Sequence, residues 1–136
     1  MLKTKKQMIE DIKLIDIVLE ICDARIPLAS QNPDIKEITK NKKKIIILNK
    51  CDLADEKETA KWVSYFKKQG ITAIPTDANN GKGIKECLQT INKMMEEDIQ
   101  KAANKGRINK NIRIMIVGIP NVGKSSFINR MINKKS

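Results

Sequence analysis

The sequence predicts a three-layer α/β/α fold around a mostly parallel sheet, and three observations point to it. Short apolar, β-branched runs alternate with amphipathic helical stretches through the 136 residues. The runs are continuously apolar, as in IIIL at 45–48, which suits strands buried on both faces. The connection between the third and fourth runs is much longer than the others, so the chain is expected to return across the sheet and lay strand four beside strand one. That gives the strand order 4-1-2-3, with a crevice between strands one and four where open α/β sheets bind ligands beyond the strand C-termini.

The elements follow in order. Residues 4–13 form an amphipathic helix with Met8, Ile9 and Ile12 on one face, and the run from Ile15 to Ile21 is the first strand. A turn-like segment from Arg25 to Asp34, punctuated by Pro27 and Pro33, leads to a short helix at Ile35–Lys40 and a second strand at Lys44–Leu48. Thr59, Trp62, Val63 and Phe66 line one face of the next helix, Gly70 stops it, and Ile71–Pro75 is the third strand. A helix over about Gly83–Ala103, a polar linker through Gly106, a fourth strand at Ile112–Val117 and a helix opening near Lys124 complete the pattern. No internal repeat or low-complexity segment interrupts it.

Charge and cysteines narrow the function classes. The net charge is +11, and residues 101–136 hold basic side chains with no acidic ones, a block that attracts the phosphates of a nucleotide or a nucleic acid. Cys22, Cys51 and Cys87 are widely spaced with no C-x-x-C pair, and there is no His, so neither a zinc site nor a His-based triad can be built. The cysteines are expected to be reduced thiols in a cytosolic protein. No apolar run approaches the roughly 20 residues needed to span a bilayer, and no export signal is expected at the N-terminus.

Directly after strand four stands GIPNVGKS, Gly118–Ser125, in the pattern G-x-x-x-x-G-K-[ST]. Gly118 and Gly123 let the chain wrap tightly, the N–H groups of the loop through Val122 face phosphate oxygens, and the following helix directs its positive end at the same place. Lys124 would reach the β- and γ-phosphates, Ser125 would hold Mg²⁺, and Ser126 would add a contact near the α-phosphate. This is a strand-loop-helix phosphate loop.

Two further loops lie at the same rim. Strand two ends in NKCD: Asn49, Lys50, Cys51 and Asp52. The Asp52 carboxylate can accept from guanine N1–H and its 2-amino group, whereas adenine offers neither donor, so such a site discriminates by roughly a hundredfold or more. Asn49 would tie the base to the loop, and the stem of Lys50 would cover a ring face. Strand three ends in TDANNGKG at 76–83, where Asp77 and Ala78 belong to a third loop and the Ala78 N–H is the candidate donor to guanine O6. Asn, Gly and Asp make turns in many settings, so this loop gains weight only beside the other two.

In this order the three loops resemble the base-reading and phosphate elements of translation-factor-class GTPases, in which the phosphate loop usually comes first. NKCD ahead of GIPNVGKSS is similar to the circularly permuted GTPases, P-loop NTPases whose members act in ribosome assembly. Within them, DARIPLASQNP at Asp23–Pro33, after the run beginning KLIDIVLEI, resembles the YlqF/RbgA family of ribosome-biogenesis GTPases. The resemblance runs over essentially the whole chain. It implies a cytoplasmic protein that binds GTP and GDP with Mg²⁺, hydrolyses GTP, and associates with the large ribosomal subunit and its rRNA, with neither membrane nor DNA as partner. Asn121 resembles the loop asparagine that places a monovalent cation, K⁺, beside the phosphates in many such GTPases; satisfying its own loop is an equal alternative.

The sequence departs from the family in several places. Asp77 stands where Ser or Asn is common, and the short aromatic Pro-Gly-His stretch before the first helix is absent. The chain stops about ten residues after the phosphate loop, with no switch threonine, D-x-x-G element or helical RNA-contacting domain after Ser126. Residues 1–136 are therefore expected to be a permuted GTPase domain truncated after the helix that follows the phosphate loop. The sheet would be incomplete and the stretch IRIMIVG an exposed edge. Such a chain would bind GTP and GDP yet hydrolyse GTP poorly, with no residue assigned as catalytic. Two other classes stay open on the residues alone: a basic RNA- or ribosome-binding module whose nucleotide is structural, and an ATP-binding P-loop protein in which NKCD is accidental.

Overall fold

The computed structural model describes residues 5–29, 31, 33–106, 112–119 and 122–135. The elements are α1 (Lys5–Ile12), β1 (Ile17–Asp23), α2 (Pro33–Ile38), β2 (Lys43–Asn49), a 3₁₀ turn (Cys51–Leu53), α3 (Glu56–Lys68), β3 (Thr72–Pro75), α4 (Ile84–Asn104), β4 (Ile114–Gly118) and α5 (Lys124–Lys135). The strands pair in the order β3-β2-β1-β4, all parallel, as the long connection before β4 predicts. The order reverses between β1 and β4, which places a crevice beyond their C-terminal ends.

Alternation along β1 sorts the core into two faces. Ile17, Leu19 and Ile21 pack with Ile45 and Ile47 of β2 against Ile84, Cys87, Ile91 and Met95 of α4 and Phe127 and Met131 of α5. On the opposite face, Cys22, Ile46 and Leu48 meet Phe66 of α3, while Val18 and Val117 meet Ile12 and Ile35 of α1 and α2. Phe66 and Phe127 thus anchor opposite layers, each burial contributing about 1.5–3 kcal/mol.

Helix α3 has the ends that its sequence suggests. Asp55 accepts from the Lys57 N–H at 2.8 Å as N-cap. Gly70, at φ +78°, ends the helix, with the Ile71 N–H returning to the Phe66 carbonyl at 2.9 Å.

Some boundaries differ from those expected. Strand β1 starts at Ile17, later than Ile15, because residues 13–15 still turn out of α1 with N–H bonds to Glu10, Asp11 and Ile12. Strand β2 runs on to Asn49, so the first residue of NKCD lies in the sheet. Helix α2 starts earlier, at Pro33, whose fixed φ suits a first helical turn.

The apolar second face also contains a charge. Glu20 is 1% exposed and pairs with Lys44 at 3.2 Å, with Gln31 Nε2 donating to the same oxygen at 3.4 Å. Strand β4 is an edge of the described sheet, but Val117 is buried and Ile114, Met115 and Ile116 are half-buried, Ile114 and Ile116 packing on the α4–α5 face and Met115 on the other.

Candidate functional site

At the C-terminal rim, a cavity of about 330 Å³ is lined by Asn49, Lys50, Asp77, Ala78, Asn79, Gly123 and Ser126. Three stretches far apart in sequence therefore meet there. What joins them is the side chain of Asn49, which is 2% exposed. Its Nδ2 donates to the Val122 carbonyl at 2.7 Å, and its Oδ1 accepts from Thr76 Oγ1 at 3.0 Å and from the Ala78 N–H at 3.1 Å. The Asn49 carbonyl accepts from the Ala24 N–H at 2.8 Å, extending the β1–β2 ladder to the rim. The amide thus fastens the loops to one another, a role additional to the expected tie to a base, for which the NH₂ group has a second N–H.

The phosphate loop is shaped by close approaches. Gly123 has φ +87°, and a Cβ there would stand 2.3 Å from Asn49 Nδ2. A Cβ on Gly118 would stand 3.0 Å from the Ile21 carbonyl and 3.2 Å from Val122, so that glycine permits tight packing on β1. The Phe127 N–H bonds to the Gly123 carbonyl at 3.0 Å and closes the first turn of α5. The N–H groups of that turn then have no intrahelical acceptor and point out of the helix beside the exposed Lys124 and Ser125. Val122 is buried, and Asn121 lies outside the described residues.

In the loop after β2, Lys50 adopts a left-handed backbone at φ 62° and starts the 3₁₀ turn that holds Cys51 and Asp52. The Cys51 N–H reaches the Thr76 carbonyl at 3.0 Å, which carries the β2–β3 pairing onto the rim. Asp52 is exposed, and burial pushes the half-buried Cys51 thiol up from its ordinary pKa. The Cys87 thiol, in the core, is pushed up to about 12 by burial, so both are poor nucleophiles near neutral pH.

The D-A-R signature sits against this loop. The Arg25 guanidinium forks onto Asp23, with Nε–Oδ1 at 3.0 Å and Nη2–Oδ2 at 2.7 Å, and the Arg25 N–H adds a third bond at 2.9 Å. These bonds hold the Asp23 carboxyl below its ordinary pKa. The Asp23 carboxylate, through its hydrogen bonds and charge, favours the charged form of Arg25, with a smaller contribution from the charge of Asp52.

In the loop after β3, the Asp77 carboxylate accepts from the Asn79 N–H at 3.2 Å and from Asn80 Nδ2 at 2.7 Å. Asp77 therefore shapes its own loop, and the Ala78 N–H proposed for a purine oxygen is held by Asn49. Gly83, at φ +84°, crosses β3 so closely that a Cβ would be 2.4 Å from the Pro75 carbonyl.

Among the expected residues, Asn49, Lys50, Asp77, Ala78, Gly123 and Ser126 line the cavity, while Cys51, Asp52, Gly118, Val122, Lys124 and Ser125 do not. Asn79, Thr76 and Arg130 were not expected at the site. Arg130 Nε donates to the Ala78 carbonyl at 2.9 Å and Nη2 to the Asn79 carbonyl, a role for which a helix-surface arginine carries no sequence signal.

Comparisons with known proteins find similarity to GTPases. A family model described as a 50S ribosome-binding GTPase matches residues 113–136. The chain is 48% identical over 136 residues to Ribosome biogenesis GTPase A of Priestia megaterium, covering 99% of this chain and 47% of that protein. It is 33% identical over 132 residues to Mitochondrial ribosome-associated GTPase 1 of Bos taurus, covering 96% of this chain and 39% of that one. The solved structure of GNP-bound YlqF from T. maritima matches with a TM-score of 0.71 at 36% identity, over 95% of this chain and 47% of that chain. The chain spans about half the length of the curated relatives it matches.

Proposed function

We infer that this chain, which belongs to the YlqF group of ribosome biogenesis GTPases, binds GTP and GDP in the cavity between the phosphate loop and the two base-reading loops. The observation that carries this is the Asn49 side chain, whose bonds to Val122, Thr76 and Ala78 bring all three loops to one polar cavity of a size suited to a small ligand. The residues present fit a nucleotide. Lys50, Gly123 and Ser126 line the cavity, and the first turn of α5 offers N–H groups and the exposed Lys124 to phosphates.

Lys124 neutralises phosphate charge, and Ser125 and Ser126 contribute hydroxyls at the same turn. Ser125 is the proposed protein ligand for Mg²⁺, which when bound offsets charge between phosphate oxygens. Asp52 is the proposed acceptor for guanine N1–H and the 2-amino group, and Lys50 packs beside the ring. A purine oxygen at the base end shares the Ala78 N–H with Asn49. NKCD preceding the phosphate loop fits a circularly permuted GTPase.

We further propose that the whole protein hydrolyses GTP and acts in assembly of the large ribosomal subunit, in contact with its rRNA. The relatives' names and the basic block at 101–136 support this, and a cytoplasmic site of action is part of the same proposal. K⁺ beside the phosphates, placed by Asn121, belongs to the same proposal.

Asp52→Asn tests the base assignment. The amide turns one acceptor into a donor, which opposes guanine but complements the extra carbonyl of xanthine. GDP affinity should fall by about tenfold or more while preference moves toward xanthosine diphosphate, with ADP weak throughout. Undiminished GDP binding by the variant removes NKCD from base recognition. Equal binding of ADP and GDP by the parent protein favours a general P-loop protein instead.

A further inference from the structure

The structure assigns to Arg130 a positioning role in base recognition: from α5 it fixes the loop whose Ala78 N–H faces the base end of the cavity. It thereby governs how tightly a guanine nucleotide, as opposed to its phosphates alone, is held. This rests on the guanine-nucleotide function proposed above.

Arg130 does not line the cavity; its target loop does, through Ala78 and Asn79. The planar guanidinium grips two successive carbonyls, Ala78 at 2.9 Å through Nε and Asn79 through Nη2. It also lies over Gly81, whose φ of +79° turns the loop there and where a Cβ would make ordinary van der Waals contact with Nη1 at 3.5 Å. On the inner side, the Ala78 N–H bonds to Asn49 Oδ1 at 3.1 Å and the Asp77 carboxylate secures the Asn79 N–H. Ala78 is thus held from both sides. A loop of Asn and Gly residues has many conformations to lose on binding, and a rigid fork that removes them beforehand raises affinity. Because Arg130 shares α5 with Lys124 and Ser125, the base loop is fastened to the helix that opens at the phosphate loop.

The test is calorimetric titration of the 136-residue chain and its Arg130→Met and Arg130→Lys variants with GDP and with pyrophosphate, both with Mg²⁺. Arg130→Met should lose about tenfold in GDP affinity and change pyrophosphate affinity by less than about twofold. Arg130→Lys, which keeps the charge but can reach only one carbonyl well, should fall between parent and Met. Circular dichroism and thermal melting establish that each variant is folded, and Arg130→Lys carries the test if Arg130→Met is not. Unchanged GDP affinity in a folded variant overturns the proposal. So does an equal loss for GDP and pyrophosphate, which marks a general effect on α5. A parent chain that binds pyrophosphate but shows no preference for GDP over ADP removes the guanine assignment and this inference with it.

Discussion

Replacing Gly123 by alanine puts the strongest demand on the proposed joining of the loops. The backbone there has φ +87°, and the new Cβ would stand 2.3 Å from Asn49 Nδ2 and 3.6 Å from its Cγ. A carbon and an amide nitrogen pack at about 3.5 Å, so one of them must move by more than an ångström. Asn49 has nowhere to go, since it is 2% exposed and bonded to Val122, Thr76 and Ala78. The left-handed backbone costs alanine about 1–2 kcal/mol. Displacing the amide leaves buried groups poorly paired at about 1–3 kcal/mol more. Urea unfolding without nucleotide should therefore show a loss of about 2–5 kcal/mol with little change in the denaturant slope. Asn49→Ala alone should also destabilise, by stranding the Val122 carbonyl and the Ala78 N–H. Combined with Gly123→Ala it removes the clash, so the double variant should be more stable than additivity predicts by about 1 kcal/mol or more. A Gly123→Ala variant within about 0.5 kcal/mol of the parent, or strict additivity in the pair, would refute the account of Asn49 as the fastening of the site.

Two other perturbations separate binding from folding. Lys124→Ala removes an exposed cation at the first turn of α5, so it should weaken GDP and GTP binding by about 1.5–3 kcal/mol while leaving the unfolding midpoint nearly unchanged. Equal nucleotide affinity in calorimetry would take Lys124 out of the site. Asp23 has its pKa lowered in the folded chain, chiefly by its bonds to Arg25, so its contribution is present above its ordinary value of 3.8 and is lost as pH falls through the lower folded value. Arg25→Met should accordingly lower the urea midpoint at about pH 6, and the gap from the parent should close as pH drops below 3.8. A gap independent of pH would show that Arg25 acts through packing.

The parts of the fold and site that could be read from sequence are those in which the physics is local. The strand runs and the glycine that ends α3 each express a constraint met within a few residues, and Gly118, Gly123 and Lys124 form a short pattern although the two glycines are needed against the distant Ile21 and Asn49. Strand order was also legible, because the length of the α4 connection limits where β4 can go. The DAR signature could be seen as a string, but its fork from Arg25 onto Asp23 could not, since two residues so close in sequence face each other only when a turn brings them together. Asn49 illustrates the larger gap. Its position at a strand end suggested contact with a ligand, yet its amide is committed to Val122, 73 residues away, and to Thr76, 27 away. Val122 is engaged only through its carbonyl, which any residue supplies, so nothing in its identity marks the bond. Arg130 is invisible for the same reason, because both of its acceptors are backbone carbonyls. In a phosphate-binding fold the ligand-facing groups need particular side chains and leave a pattern. Arg130 holds its loop by two peptide carbonyls and leaves no such pattern, so a substitution there touches no residue of the nucleotide-binding motifs.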